Sequence, residues 1–227
     1  NNDWDLSAAL IRGAGHFGAA FDIGSFAARL ASAGGGMGSV DALLGQVTDA
    51  RFSARGLIRD LFQQVYLGAD LYRQLEGQVA THAPAIGLIA TEEALIDVDV
   101  LTGLAMPIGI APGRPRAEAE VAVRSFGWEG VFGSLVTDDD CVQAGQPGKP
   151  NPWCVLEAAR RLGVTCSESV WYIGDTGDDM RASAAAGCSG AGVGEDAVAL
   201  SGAGARLVRA TTGEAVRAIV RGVGGYG

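Results

Sequence analysis

The stretch "VWYIGDTGDDM", residues 170–180, decides how the second half of the chain is interpreted. Four apolar residues (170–173) end abruptly in a glycine, and Asp175, Asp178 and Asp179 follow within five positions. A short apolar run that is bounded by glycine predicts a buried β-strand. Three neighbouring carboxylates repel one another unless a cation or a proton relieves the repulsion. The stretch therefore predicts a strand whose carboxyl end carries acids suited to a cation.

Short apolar runs alternate with helical patterns on both sides of this stretch. The predicted strands cover 106–112, 131–140, 170–174, 189–194 and 205–210. The predicted helices cover 116–127, 151–163, 178–187 and 213–222. Such alternation is typical of βαβ units, so it predicts an α/β fold with a doubly wound parallel sheet.

The first hundred residues show a different pattern. Apolar positions recur at helical spacing in "DLSAALIRGAG" and "ARGLIRDLFQQVYLGADLYRQL", and Ser39 is the predicted N-cap of a helix between them. No run in this region alternates as a strand does. We therefore predict two domains, a smaller helical domain over 1–100 and an α/β domain over 101–227.

Composition and charge exclude several classes of function. The chain has 227 residues and a net charge of −9, which repels a phosphate backbone and argues against nucleic acid as a partner. No uncharged apolar run reaches the roughly 18 residues of a membrane span. The four cysteines show no CxxC spacing and the two histidines lie far apart, which argues against a structural zinc site. We expect free cysteines in a reducing cytoplasm.

Two other predicted strand ends carry groups that suit a phosphate. Lys149 lies in "GKPNPW" (148–153), and Gly113 with Arg114 lies in "GIAPGRPR" (109–116). Ligands of open parallel sheets bind at the carboxyl ends of the strands. Backbone N–H groups and a lysine bind anionic oxygens there, while carboxylates bind Mg²⁺. Together these groups predict phosphoryl-transfer chemistry.

Each feature also has a purely structural interpretation. Asp178 and Asp179 would favour a helix N-terminus through its dipole, and Lys149 would be an ordinary exposed lysine. The glycine motifs "GAGHFG" (13–18) and "GAGVG" (190–194) lack the context of a dinucleotide loop, so we interpret them as close-packing glycines. The dipole interpretation leaves unexplained why Asp175 directly ends an apolar strand.

The order "GIAPGRPRAEAE", "DDD", "GKPNPW" and "YIGDTGDDMRASAAAG" resembles motifs II, III and IV of the haloacid dehalogenase superfamily, in particular its small phosphatases with a helical cap. The resemblance implies a Rossmann-like core beneath a smaller helical cap domain. It implies that Asp175 binds Mg²⁺, that Asp179 completes the metal shell with Asp178 beside it, and that Lys149 stabilises the phosphoryl oxygens. Gly113 and Arg114 would bind the phosphate of the substrate.

The chain departs from that family at two places. Members use an aspartate nucleophile in a DxDxT/V motif on the first strand, and residues 1–30 hold no such strand. Pro112 stands where the family places Ser or Thr, so a hydroxyl contact is lost and the proline has no N–H to replace it. Asp97 and Asp99 have the nucleophile spacing. They lie only about a dozen residues before Pro112, too close for a parallel crossover, so we expect them on a helix.

We expect the nucleophile strand to precede Asn1 in the parent protein, because removing a central strand leaves buried backbone groups unpaired. The predicted function is a Mg²⁺-dependent phosphatase that acts through an aspartyl-phosphate on a small phosphorylated metabolite. The alternative is a non-catalytic relative that binds a phosphorylated ligand or partner. A dehalogenase needs no metal, so the retained acids argue against it. The sequence leaves the oligomeric state open.

Overall fold

The computed structural model describes residues 3–33, 36–45 and 55–224 of the chain. The chain forms two compact units, Asn1–Glu92 and Glu93–Gly227. The domain division inferred from the sequence, at residue 100, stays a prediction. Of the helices in the described segments, none combines the length and apolar character that crossing a bilayer requires.

The described residues of the first unit form helices. Phe26 and Val40 are buried in its core, where they pack with Ala9. Ser39 lies inside a helix and not at its N-cap as predicted, and its hydroxyl donates to the Ala33 carbonyl at 2.7 Å. The helices are α1 (Asp3–Phe17), α2 (Ile23–Ser32), α3 (Gly36–Leu44) and α4 (Arg55–Glu76), with short 3₁₀ turns at Gly18–Ala20 and Leu88–Thr91.

Helix α4 is interrupted where another segment crosses it at backbone contact. Gly68 has φ 77°, a conformation that favours glycine. A Cβ on Gly68 would lie 2.4 Å from the backbone nitrogen of Gly87. The Ala69 N–H donates to the Pro84 carbonyl at 2.9 Å, which satisfies a group that the interruption frees. Two glycines therefore permit the crossing.

The second unit alternates helices and parallel strands, which confirms the predicted α/β fold class. The strands are β1 (Gly109–Ile110), β2 (Ser134–Leu135), β3 (Trp171–Gly174), β4 (Ser189–Val193) and β5 (Ala205–Arg209). The helices are α5 (Val98–Thr102), α6 (Arg116–Ser125), α7 (Asp138–Gln143), α8 (Trp153–Arg161), α9 (Gly177–Ala185), α10 (Ala197–Gly202) and α11 (Thr212–Gly224).

The strands form two separate parallel sheets. Strand β1 pairs with β2, and β4 lies between β3 and β5. Carbonyls of Ile108 and Ile110 accept bonds from the β2 segment, so the backbone groups of Gly109 and Ala111 face the opposite edge. Among the described residues, no strand lies between that edge of β1 and the open edge of β3.

Three local predictions concern the acids at 97 and 99, the acids at 138–140 and the glycines of β4. Asp97 precedes helix α5 and Asp99 lies in its first turn, which confirms that they are helical acids. The acids at 138–140 begin helix α7, whereas the sequence suggested that they end a strand. A Cβ on Gly190 would lie 2.7 Å from Ser183 Oγ, which confirms this residue as a close-packing glycine.

Candidate active site

The centre of the site is an ion pair between the half-buried Lys149 and the buried Asp179. Lys149 Nζ lies 2.7 Å from Asp179 Oδ1, and their side chains are 19% and 5% exposed. The amine also donates to the Tyr172 hydroxyl oxygen at 3.1 Å and to the Ala111 carbonyl at 3.3 Å. Lys149 is the only lysine in the sequence. The structure thus brings together residues from the 148–153 loop, from helix α9 and from the ends of β1 and β3.

The start of helix α9 fixes the Asp179 carboxylate. Its Oδ2 accepts bonds from Thr176 Oγ1 at 2.6 Å and from the Thr176 N–H at 3.1 Å, while the Asp179 N–H donates back to Thr176 Oγ1. This reciprocal arrangement is a capping box. A Cβ on Gly174 would lie 2.5 Å from Asp179 Cβ. The glycine therefore lets Asp179 lie directly against the end of β3.

The ion pair keeps both partners charged. Burial alone would lower the pKa of Lys149, but Tyr172 and Asp179 raise it above its ordinary value. Burial alone would raise the pKa of Asp179, but the charge and hydrogen bond of Lys149 hold it below its ordinary value. The amine is therefore a fixed cation at neutral pH.

Tyr172 joins the two sheets across their open edges. Its hydroxyl donates to the Ala111 carbonyl at 3.0 Å, which links β3 to the residue that follows β1. Burial raises the pKa of Tyr172 above its ordinary value, so the hydroxyl keeps its proton. Sequence reasoning missed this residue because an aromatic residue inside an apolar strand gives no signal of a polar contact.

The segment Gly113–Arg116, which we call the anion loop because its first residues are predicted to bind phosphate, lies beside Lys149. A Cβ on Gly113 would lie 3.8 Å from Lys149 Cε and 3.9 Å from Lys149 Nζ, so Gly113 is a direct neighbour of the lysine side chain. The Arg114 carbonyl accepts a bond from the Asp138 N–H at 3.2 Å, and the Arg116 N–H donates to Asp139 Oδ2 at 2.7 Å. The loop is thereby tied to the start of helix α7.

Asp138 is a further acidic residue at this site. Burial raises the pKa of Asp138, the neighbouring Asp139 adds to the increase, and Lys149 opposes it. The Asp138 N–H donates to the Arg114 carbonyl, so Asp138 begins helix α7 next to the loop that is predicted to bind phosphate. The acidic run after β2 was the available sequence signal, but it did not distinguish the roles of the three adjacent acids.

A network of charged side chains connects the anion loop to helices α7 and α8. Asp140 accepts bonds from Arg116 at 2.6 Å and from Arg161 at 2.9 Å, and it completes the capping box of Thr137. Arg161 also bonds Glu157 at 2.8 Å, within helix α8. The network connects the start of α6 to α7 and α8, and it therefore holds the Gly113–Arg116 segment in place.

The three candidate metal ligands lie in different surroundings. Asp175 is exposed after the carboxyl end of β3, whereas Asp178 pairs with Arg181 at 2.7 Å and Asp179 is engaged by Lys149 and Thr176. In the part of the chain that the structure describes, no three Asp, Glu, His or Cys side chains form a group able to hold a metal. Mg²⁺ often uses one or two carboxylates with water and substrate phosphate, and its ligation by the exposed Asp175 stays a prediction. Ligation by Asp178 and Asp179 stays a prediction.

Comparison with known proteins places these observations in a family. A sequence model of the haloacid dehalogenase-like hydrolases matches residues 31–187, more than half of the chain. The phosphoglycolate phosphatase of Salmonella paratyphi A is 26% identical over 131 residues, which cover 58% of this chain and 48% of that protein. The chain thus spans about half the length of the curated relatives it matches.

Solved structures show the same fold. A haloacid dehalogenase-like hydrolase from Bacteroides fragilis has a TM-score of 0.56 at 20% identity, covering 93% of this chain and 92% of that one. A HAD family hydrolase from Deinococcus radiodurans R1, solved with bound phosphate and sodium, has a TM-score of 0.54 at 20% identity, with 98% and 90% covered. Identities this low establish a likeness of fold alone.

Proposed function

Because the chain belongs to the haloacid dehalogenase-like hydrolase family, we propose that it is the part of a phosphatase that binds and polarises a phosphate monoester. The observation that carries the proposal is the fixed cation of Lys149, whose side chain lies beside Gly113. Both lie at the carboxyl ends of parallel strands, where ligands of such sheets bind. The match to a phosphoglycolate phosphatase supports a small phosphorylated metabolite as substrate.

Each site residue has a role in this proposal. Lys149 neutralises the phosphoryl oxygens, and because Asp179 holds its amine in place the charge needs little reorganisation during reaction. The Gly113 N–H and Arg114 bind the remaining oxygens of the phosphate. Asp175 would hold Mg²⁺, with Asp178 and Asp179 close in sequence, and the bound ion would neutralise charge on the transferring group. The first unit would act as the cap that admits the substrate.

We place the nucleophile on a strand that fills the interval between β1 and β3. The backbone groups of Gly109 and Ala111 face this interval, and a parallel strand there would pair with both sheets. An aspartate at its carboxyl end would attack phosphorus, the alcohol would leave with a proton, and water would hydrolyse the aspartyl-phosphate. Lys149, which bonds the Ala111 carbonyl, lies at that end of the interval.

The test is hydrolysis of p-nitrophenyl phosphate by the protein as its gene encodes it, with and without Mg²⁺. We expect phosphate release that EDTA abolishes and that Mg²⁺ restores. Lys149→Ala should lower kcat/KM by at least about a hundredfold, as expected for loss of a group that stabilises charge in the transition state. Arg209→Ala, at an exposed position of strand β5, is the matched control and should keep wild-type activity. Absence of turnover with any divalent ion would reject the phosphatase.

Pro112 supports a second candidate, a relative that binds a phosphorylated ligand without turnover. Proline at this position supplies neither a hydroxyl nor an N–H to the phosphate. Calorimetry with orthophosphate separates the two functions when it is combined with the hydrolysis assay. Binding that Lys149→Ala removes, in a protein that releases no phosphate, would favour the second candidate.

A further inference from the structure

Two cysteines of the second unit pack in one region of its core, one before β3 and one directly before β4. Cys166 lies in the segment before β3, and Cys188 directly precedes β4. Cys188 is 7% exposed within the core cluster, and the half-buried Cys166 packs against that cluster. The pKa of Cys188 is raised by Cys166 as well as by burial, which agrees with this shared packing. The two sulfur atoms therefore share one local environment.

Hydrogen bonds hold the two segments together at this point. The Ser189 N–H donates to the Val170 carbonyl at 2.8 Å, and the Ser189 hydroxyl donates to the Glu168 carbonyl at 2.7 Å. On the other side, the Cys188 N–H donates to the Ser183 carbonyl at 2.9 Å. These hydrogen bonds fix the backbone around Cys188 against the segment that follows Cys166. The two cysteines therefore stay close without a covalent bond.

The two thiols differ in access from solvent. Cys166 is half-buried, whereas Cys141, Cys154 and Cys188 are buried. A small polar oxidant therefore reaches Cys166 first. Burial raises the pKa of Cys188 to about 12, and the contact with Cys166 adds to the increase, so Cys188 stays a neutral thiol at pH 7.

We propose that Cys166 and Cys188 are an oxidation site that hydrogen peroxide converts into an intramolecular disulfide. The Cys166 thiolate attacks one peroxide oxygen, so an S–O bond forms, the O–O bond breaks, and the leaving hydroxide takes up a proton as water. The Cys188 sulfur then attacks the sulfenic sulfur, an S–S bond forms as the S–O bond breaks, and the thiol proton converts the leaving hydroxide into a second water. The thiols lose two electrons in total, and these reduce one peroxide.

The bond would close a loop that contains the acidic segment of the site. Residues 166–188 include β3 and helix α9, and thus Asp175, Asp178 and Asp179. A cross-link of this length restricts the unfolded chain, and we expect the midpoint of thermal unfolding to rise by roughly 5–10 °C. The inference concerns thiol chemistry alone and does not depend on the phosphatase proposal.

The test is peptide mapping of the folded chain after treatment with a small excess of hydrogen peroxide. Free thiols are alkylated and the protein is digested with trypsin without reductant. Cys166 lies in the tryptic peptide 162–181 and Cys188 in 182–206, whereas Cys141 and Cys154 share the peptide 125–160. We expect the first two peptides to appear joined, about 2 Da below their summed mass, and to separate with dithiothreitol.

Variants identify the role of each thiol. Cys166→Ser should abolish both the joined peptide and the rise in unfolding temperature. Cys188→Ser should leave a sulfenic acid on Cys166 that dimedone traps. If the buried Cys188→Ser variant does not fold, the wild-type map and Cys166→Ser decide the question. An oxidised 125–160 peptide without the joined pair, a disulfide-linked dimer, or Cys166 oxidised to sulfinic acid without a cross-link would each overturn the proposal.

Discussion

Lys149 is the residue on which the charge of the site depends, and its loss should destabilise the fold. Lys149→Met leaves the Asp179 carboxylate buried without its cation. Removing one partner of a buried pair costs about 3–5 kcal/mol, and we expect that decrease in the free energy of unfolding. Urea titration followed by circular dichroism at pH 7 measures it. The control is Arg73→Met, which removes an exposed pair with Asp70 and should cost less than about 1 kcal/mol.

A second substitution shows whether the unpaired charge is the cause. Asp179→Asn in the Lys149→Met background removes the buried carboxylate while an amide oxygen stays available to Thr176. We therefore expect the double variant to recover part of the lost stability. Equal losses for Lys149→Met and Arg73→Met would contradict the buried-pair explanation.

The sequence predicts those site residues whose roles follow from their spacing along the chain. Asp179 follows Gly174 at the distance that a strand end and a capping box require, and Lys149 precedes a helix whose N-cap residue is Pro152. Tyr172 and Asp138 could not be assigned because their partners come from other strands and loops. Their roles depend on how β1, β2 and β3 are placed, which a local pattern does not contain.

Helix α8 carries a carboxylate that makes stability depend on pH. The guanidinium hydrogen bonds of Arg160 and Arg161 lower the pKa of Glu157 from 4.5 to about 2. Because its folded pKa is depressed, Glu157 contributes stability above pH 4.5, and this contribution is lost as the pH falls toward about 2. Glu157→Gln should therefore be less stable than wild type by about 1 kcal/mol at pH 6.

The same variant should approach wild type in acid. We expect the difference in the free energy of unfolding to shrink between pH 4.5 and pH 2.5, measured by urea titration at half-unit steps. Glu195→Gln, in the turn after β4 and outside this cluster of charges, is measured in parallel as the control. A Glu157→Gln difference that stays constant over this range would refute the assignment.

A substitution in strand β4 tests whether its glycines are required for close packing. Gly190→Ala would place a Cβ 2.7 Å from Ser183 Oγ and 3.2 Å from Met180 Sδ, and both of these residues are fully buried. We expect a loss of about 1–3 kcal/mol in the free energy of unfolding from overpacking. Gly222→Ala, in helix α11 with open space around the added methyl, should be neutral or slightly stabilising. Similar effects of both substitutions in urea titrations would argue against the packing role.

The order of the strands and of helices α6, α8, α9 and α11 in the second unit could be predicted, because most of the strands are apolar runs and these helices end at a breaker, whereas helices α7 and α10 were not predicted. The residues at which these elements begin and end were harder to predict. Residues 138–140 begin a helix because Thr137 and Asp140 form a capping box, a signal that the adjacent apolar run hid. The break in α4 at Gly68 depends on the crossing of Gly87, which lies far away in sequence.

The interval between β1 and β3 connects the fold of the second unit with its proposed function. The sequence predicted a parallel sheet and the lack of a strand with the nucleophile spacing among residues 1–30, but strand order is a tertiary property. The structure has open edges on β1 and β3, joined by Tyr172 and Lys149. The predicted catalytic acids thus lie beside the place where one more strand would complete the sheet.

The net charge of −9 leads to a prediction about partners of the whole chain. The Lys149 cation is already paired with Asp179, so the site adds little attraction for a long polyanion. A protein that binds nucleic acid releases counterions from the phosphates, and its affinity rises steeply as salt is lowered. We expect no retardation of a 30-base-pair duplex at about 10 μM protein in 50 mM or in 150 mM NaCl, measured by gel mobility. A basic DNA-binding domain at the same concentration is the control, and salt-sensitive retardation by this chain would show that a local field overrides its net charge.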